Sequence, residues 1–330
     1  MKFKNLLLTF DYELFLGPKS GSVIDCLINP TNKILEILEK YNVKGVFFVD
    51  TLYLFRLKSL NIENAISDYN LIQEQLKGLL IKGHFLFPHI HPHWFDALYL
   101  KDFNQWDLSI TKKYRFHNLN QEQKKIAFEE SISLLKSIVN DFHPIEGYRA
   151  GGWCIQPFSD FKPFFKKYGI KFDFSVLKGK SMISSCQKFD FYNSPSQNTY
   201  FFENEVDLLD ENGNFYEFQI SQINFSKIVK IADKFLKKFL WKFNLISYGK
   251  GIAANNEITV LKSNYDDMCS IELLTLVKLK TYNNYFDQND FIHFISHPKM
   301  ISKHNLLTFD KFLKRNHKKY FIETVYNKML

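Results

Sequence analysis

Residues 84 to 96 read HFLFPHIHPHWFD and carry four of the chain's ten histidines. Three of them, His89, His91 and His93, alternate beside Pro88, Pro92 and Trp94. Two imidazoles and one carboxylate hold Zn²⁺ or a similar ion and leave one position open. His89 and His93 face one side if the segment curls into a turn. His89 and His91 share a face if the segment stays extended. We take His89 with His93 and keep His91 as the alternative ligand. A single histidine here would read as a surface or core residue. Three in HIHPHW, following an apolar segment, favour a metal.

Other ionisable groups sit at comparable places. In TFDYELF, Asp11 and Glu13 lie two residues apart. One carboxylate can bind a metal while the other takes a proton from water. Alone the pair is weak, because acidic residues often follow strands. Arg149 in GYRAGGW can orient the base carboxylate and keep it ionised. Gly151 and Gly152 would let backbone approach a ligand closely. His297 follows FIHFIS, precedes a proline, and can give a proton to a leaving amine.

These residues fall where strands should end. Seven segments read as strands, near 4–10, 44–50, 84–91, 144–149, 171–176, 214–222 and 291–296. KNLLLTF and KGVFFVD are short apolar runs suited to strands buried on both faces. Amphipathic stretches intervene. PTNKILEILEKYNV opens with Pro30, NAISDYNLIQEQLKGLLIKG stops by Gly83, and NQEQKKIAFEESISLLKSIVNDF is strongly periodic. PFSDFKPFFKKYG ends at Gly169, and DDMCSIELLTLVKLKTY reads as another helix. Strands alternating with helices predict an α/β fold with a parallel sheet. Seven strands suit a closed or nearly closed barrel, whose function sits at the C-terminal strand ends. We read residues 1–330 as one domain with an insertion about 178–213.

With the motifs in order, the chain resembles the NodB-type polysaccharide deacetylases, a carbohydrate esterase family. TFDYE, HIHPHW, YRAGGW, FDFSV and ISHPK are similar to that family's five motifs. The resemblance covers residues 3–176 and 291–298, and the stretch 178–290 only loosely. It implies a distorted (β/α)7 barrel and metal-assisted removal of an N-acetyl group from an amino sugar. It implies Asp11 as base, Glu13, His89 and His93 as metal ligands, and Arg149 as partner of the base. Asp173 would support the site and His297 would be the acid. A divalent metal, Zn²⁺ with Mn²⁺, Co²⁺ or Fe²⁺ as alternatives, would hold the attacking water. Tyr12 would offer a backbone amide to the oxyanion. Trp94 and Trp153 would stack on sugar, with core packing as the equal alternative, and Gly151 and Gly152 would line the groove. Tyr12 replaces a second aspartate, His91 is an extra histidine, and AGGW stands where a proline and an aromatic are usual.

The HxHPxW form looks like a cytoplasmic branch linked to surface-polysaccharide (capsule or O-antigen) biosynthesis. Its substrate would be an N-acetylated sugar, nucleotide-linked, lipid-linked or in an oligosaccharide. Alternatives on the same barrel are a deformylase, another amide hydrolase, or a glycan binder without turnover.

Composition narrows the partners. Hydrophobic residues make up 45% of the 330 and aromatics 17%, which excludes a disordered chain. The net charge of +8 favours an acidic partner. With no nucleic-acid motif, we expect no nucleic acid. The four cysteines have no CxxC spacing and read as buried thiols of a reducing compartment. The N-terminal apolar run is too short for a signal peptide, so a cytoplasmic protein is expected, peripheral at most on the inner membrane surface. Residues 226–243 form a basic amphipathic helix. Its apolar stripe is Ile228, Val229, Ile231, Ala232, Phe235, Leu236, Phe239, Leu240 and Phe243, with six lysines around the rest. We read it as an outer barrel helix with the stripe in the core, the alternative being contact with an anionic membrane.

Overall fold

The seven predicted strands form. They are β1 (Lys4–Tyr12), β2 (Val46–Asp50), β3 (Phe85–Ile90), β4 (Gly147–Ala150), β5 (Phe172–Asp173), β6 (Phe215–Phe218) and β7 (Phe291–Ser296). The structure, a computed structural model, describes residues 4–140, 142–242, 247–254, 257–317 and 320–321. The strand order is β6-β5-β4-β3-β2-β1-β7. Every neighbouring pair in it is parallel. Every residue of β2 and of β7 is buried, as strands covered on both faces require.

Between β6 and β7 the sheet closes through single hydrogen bonds. Ser221 N donates to His293 O at 3.2 Å, Cys269 N to Ser221 O at 2.7 Å, and Ile295 N to Cys269 O at 3.0 Å. The result is a distorted (β/α)7 barrel. Thr199–Phe202 adds an antiparallel strand outside β6. Lys180–Ser184, Lys188–Asp190 and Ile258–Ser263 make a separate antiparallel sheet.

Helices cover the barrel: α1 (Asn29–Lys40), α2 (Thr51–Ser59), α3 (Glu63–Ile81), α4 (Gln121–Val139), α5 (Lys162–Tyr168), α6 (Lys227–Lys242), α7 (Leu279–Gln288) and α8 (Lys303–Asn316). Local chemistry sets their ends. Pro30 opens α1, where a missing N–H costs nothing. Asn120 and Gln123 form a capping box on α4. Gly169 stops α5 in the left-handed conformation. No described helix is long and apolar enough to cross a membrane.

Three features differ from the sequence reading. Helices α2 and α8 were not predicted. Asp50 starts α2 by accepting from Tyr53 N at 3.3 Å. DDMCSIELLTLVKLKTY is not one helix. Asp267–Met268 pairs with Gln222–Ile223, and Cys269 spends its backbone groups across the seam, so a helix begins only at Leu279. In α6 the apolar stripe is not in the core. Asp233 is its one buried residue, while Ile228, Ile231, Phe235 and Trp241 face solvent. The stripe is wider than the surface beneath it, which half-buries only Val229, Ala232, Leu236 and Leu240. Phe243 lies outside the described residues.

Candidate metal centre and acid–base groups

The side-chain period of two along β1 sorts its residues. Phe10 and Tyr12 face the helices, and Tyr12 Oη donates to Gln75 Oε1 of α3 at 2.8 Å. Thr9 and Asp11 face the barrel interior, and Glu13 continues that alternation just past the strand. Asp11 and Glu13 are both buried. The D-x-E spacing therefore puts two carboxylates on one side, and the Tyr12 side chain leaves the site.

Arg149, from the end of β4, is fully buried. Its Nη1 donates to Asp11 Oδ1. Its Nη2 donates to Thr9 Oγ1 at 2.8 Å and its Nε to Phe174 O at 3.0 Å. The guanidinium lies 4.1 Å from the centroid of the Phe48 ring. Arg149 thus fixes Asp11 by one oxygen and leaves Oδ2 for other work.

The histidine segment stays extended through His91, with φ −102° and ψ 96°, before turning at Pro92. His89 and His91 therefore share a face. His89 Nδ1 donates to Arg149 O at 2.9 Å, which presents Nε2 to the centre. His91 Nε2 lies 2.9 Å from His89 Nε2 and 2.7 Å from Glu13 Oε2. Glu13 Oε2 is 3.4 Å from His89 Nε2. Glu13, His89 and His91 each offer a ligand atom, all within 4.8 Å of one another. Two imidazole nitrogens and a carboxylate oxygen gathered this closely are a donor set of the kind that holds a cation. Gly151 is required here, because a Cβ on it would sit 2.7 Å from His91 Nδ1 and 2.6 Å from Ile90 O.

His93, taken as a ligand from the sequence, is not part of this set. It lies in the turn after Pro92, and its ring stacks on Tyr114 at 5.0 Å. The extended backbone at His91 is the reason, since the favoured pairing needed a turn one residue earlier. His84 is structural, its Nδ1 accepting from Gly45 N at 2.9 Å.

His297 arrives from the end of β7. Its Nε2 is 3.6 Å from Asp11 Oδ2 and 3.7 Å from Glu13 Oε1. Its Nδ1 is 2.8 Å from Glu272 Oε1. Glu272 was not singled out from the sequence, because it sits in the segment misread as a helix. Lys299 was also missed, although it ends the ISHPK motif. Its Nζ donates to Glu13 Oε1 at 2.9 Å, so Oε2 is the oxygen turned to the imidazoles.

Asp173 is buried in β5, beside the strand that carries Arg149. It accepts from Ser175 Oγ at 2.8 Å and Ser175 N at 3.0 Å, and Ser175 Oγ accepts from Ala150 N. That network ties β4 to β5. Trp94 is fully buried, gives its indole N–H to Asp50 Oδ2 at 2.5 Å, and packs on Tyr53 and Trp106. It is core, as is the Tyr12 ring. Trp153 is partly exposed against Phe189. Gly152, beside it, has φ 58° and abuts Tyr114.

The electrostatics divide the groups into roles. Burial works against ionisation of Asp11, but Arg149, His89 and His297 hold its carboxyl below the usual range. Burial likewise opposes Glu13, and Lys299 and His91 hold it well below. Burial pushes His91 down to about 4, so its imidazole stays neutral. Burial also opposes a proton on His89, yet Asp11 and Glu13 raise it. The same carboxylates would favour a cation there. For His297, Glu272 and then Asp11 outweigh burial and raise the imidazole. A carboxyl shifted down stands beside an imidazole shifted up, the separation that acid–base catalysis needs.

No family model and no curated protein sequence matches this chain. Solved structures do match. A candidate polysaccharide deacetylase from Mycobacterium smegmatis aligns with a TM-score of 0.51 at 12% identity, covering 99% of this chain and 90% of that one. The 4-alpha-glucanotransferase of Thermococcus litoralis also gives 0.51 at 12% identity, over 99% of this chain and 40% of that one. The chain therefore carries the NodB-like barrel fold. Proteins named for different reactions share it, so function has to be argued from the site.

Proposed function

We propose that the protein is a metal-dependent hydrolase that removes an N-acetyl group from an amino sugar of a surface polysaccharide or its precursor. The carrying observation is the convergence of Glu13 Oε2, His89 Nε2 and His91 Nε2 beside Asp11 and His297. Glu13, His89 and His91 would hold a divalent cation, Zn²⁺ with Mn²⁺, Co²⁺ or Fe²⁺ as alternatives. When bound, it supplies polarisation of the acetyl carbonyl and a more acidic water.

The chain's own groups do the proton work. Asp11 Oδ2, 3.7 Å from His89 Nε2, accepts the proton of the attacking water. The new C–O bond forms as the carbonyl pair moves to oxygen. Arg149 keeps Asp11 ionised and in place. His297 gives its Nε2 proton to the sugar nitrogen as the C–N bond breaks, and Glu272 holds the ring from the other side. One water is consumed, and acetate and a free amino sugar leave. Trp153, partly exposed, would be the aromatic that meets a sugar ring. The likeness of fold to the mycobacterial protein supports this reading. Four buried free cysteines suit a reducing cytoplasm.

The test is acetate release from N-acetylated amino sugars, free, nucleotide-linked and lipid-linked, by the wild type and Asp11→Asn. We expect release from one class, with Asp11→Asn slower by about 10²–10⁴-fold at unchanged metal content. Bound metal with no acetate from any class would sink the proposal.

A further inference from the structure

We infer that α6 is a docking surface for an anionic lipid bilayer. The helix exposes Ile228 at 79%, Ile231 at 59%, Phe235 at 69% and Trp241 at 75%. At helical spacing, Ile228, Ile231 and Phe235 share one face, the outer part of a stripe whose inner part leans on the body. Lys227, Lys234, Lys238 and Lys242 flank that face, while Lys230 and Lys237 pair with Asp266 and Asp233. The helix has one acidic residue, Asp233, and it is turned inward. Large apolar side chains projecting between lysines match an interface of acyl chains beneath anionic headgroups.

A second copy of this chain fits worse. A symmetric contact would bring Lys227, Lys234, Lys238 and Lys242 against their own copies, with Asp233 already committed. Asp233 accepts from Thr275 Oγ1 at 2.6 Å and pairs with Lys237 and Lys278 at 2.9 and 3.3 Å.

Thr275 and Lys278, which hold α6, lie in the segment that carries Glu272, the partner of His297. The binding itself does not depend on what reaction the site performs.

The experiment is co-sedimentation of the full-length protein with phosphatidylglycerol-containing vesicles and with pure phosphatidylcholine vesicles, at low and high salt. We expect pelleting with the anionic vesicles alone, reversed by salt. The variant Ile231→Asp/Phe235→Asp should lower the bound fraction at least tenfold. Lys234→Gln/Lys238→Gln should weaken it while leaving thermal unfolding unchanged. These are exposed positions, so the fold should hold. No pelleting on anionic vesicles at low salt overturns the inference. So does a dimer in solution that Ile231→Asp/Phe235→Asp dissolves, because the face would then belong to a second copy.

Discussion

Glu272 Oε1 lies 2.8 Å from His297 Nδ1, on the side of the ring away from Asp11. This contact fixes which nitrogen can give a proton, and it raises the imidazole against the effect of burial. The sign follows. In the proposed reaction His297 acts as an acid while protonated, so the rate would be lost as pH rises through its raised value. Glu272→Gln removes the supporting charge and moves that alkaline limb to lower pH. General acid catalysis contributes about 10²–10⁴-fold, and this variant should lose part of it. A pH–rate profile checks this, and an unmoved alkaline limb contradicts it.

Arg149 and Asp11 form a buried pair, and the guanidinium also donates to Phe174 O and Thr9 Oγ1. Removing one partner of such a pair strands the other charge, at a cost of about 3–5 kcal/mol. Arg149→Met should lower unfolding stability by that order in a urea titration. A loss within the ~0–1 kcal/mol typical of surface pairs would mean that Asp11 is better solvated than its burial indicates.

His84 offers a test away from the site. Its imidazole is pushed down to about 4, chiefly by burial, while its Nδ1 accepts from Gly45 N. A depressed histidine stabilises the fold above its ordinary value of about 6.5. That contribution is lost as pH falls towards 4, and amounts to on the order of 3 kcal/mol. Stability measured by urea unfolding should decline over this window. His84→Asn should take about one proton out of the slope. An identical slope in the variant would show that His84 does not titrate on unfolding.

The barrel was legible because its strands are continuous apolar runs, and the site because its ionisable residues sit where those runs end. Asp11, Glu13, His89, Arg149 and His297 were all placed at one end of the sheet on that logic. His91 and His93 could not be separated, since the choice depends on whether the chain turns before or after Pro92. Glu272 was hidden because its segment has helical periodicity, yet its backbone is used to close the seam between β6 and β7. The fate of the α6 stripe was equally illegible. Periodicity shows that a helix has an apolar face, not whether the body is wide enough to cover it.

The most direct test is the metal content of purified protein by elemental analysis, for the wild type, Glu13→Gln, His91→Ala and His93→Ala. The proposed centre predicts about one divalent ion per chain in the wild type and in His93→Ala, and loss of it in Glu13→Gln and His91→Ala. Full occupancy in His91→Ala together with loss in His93→Ala, or no ion in wild-type protein after loading, would contradict the centre described here.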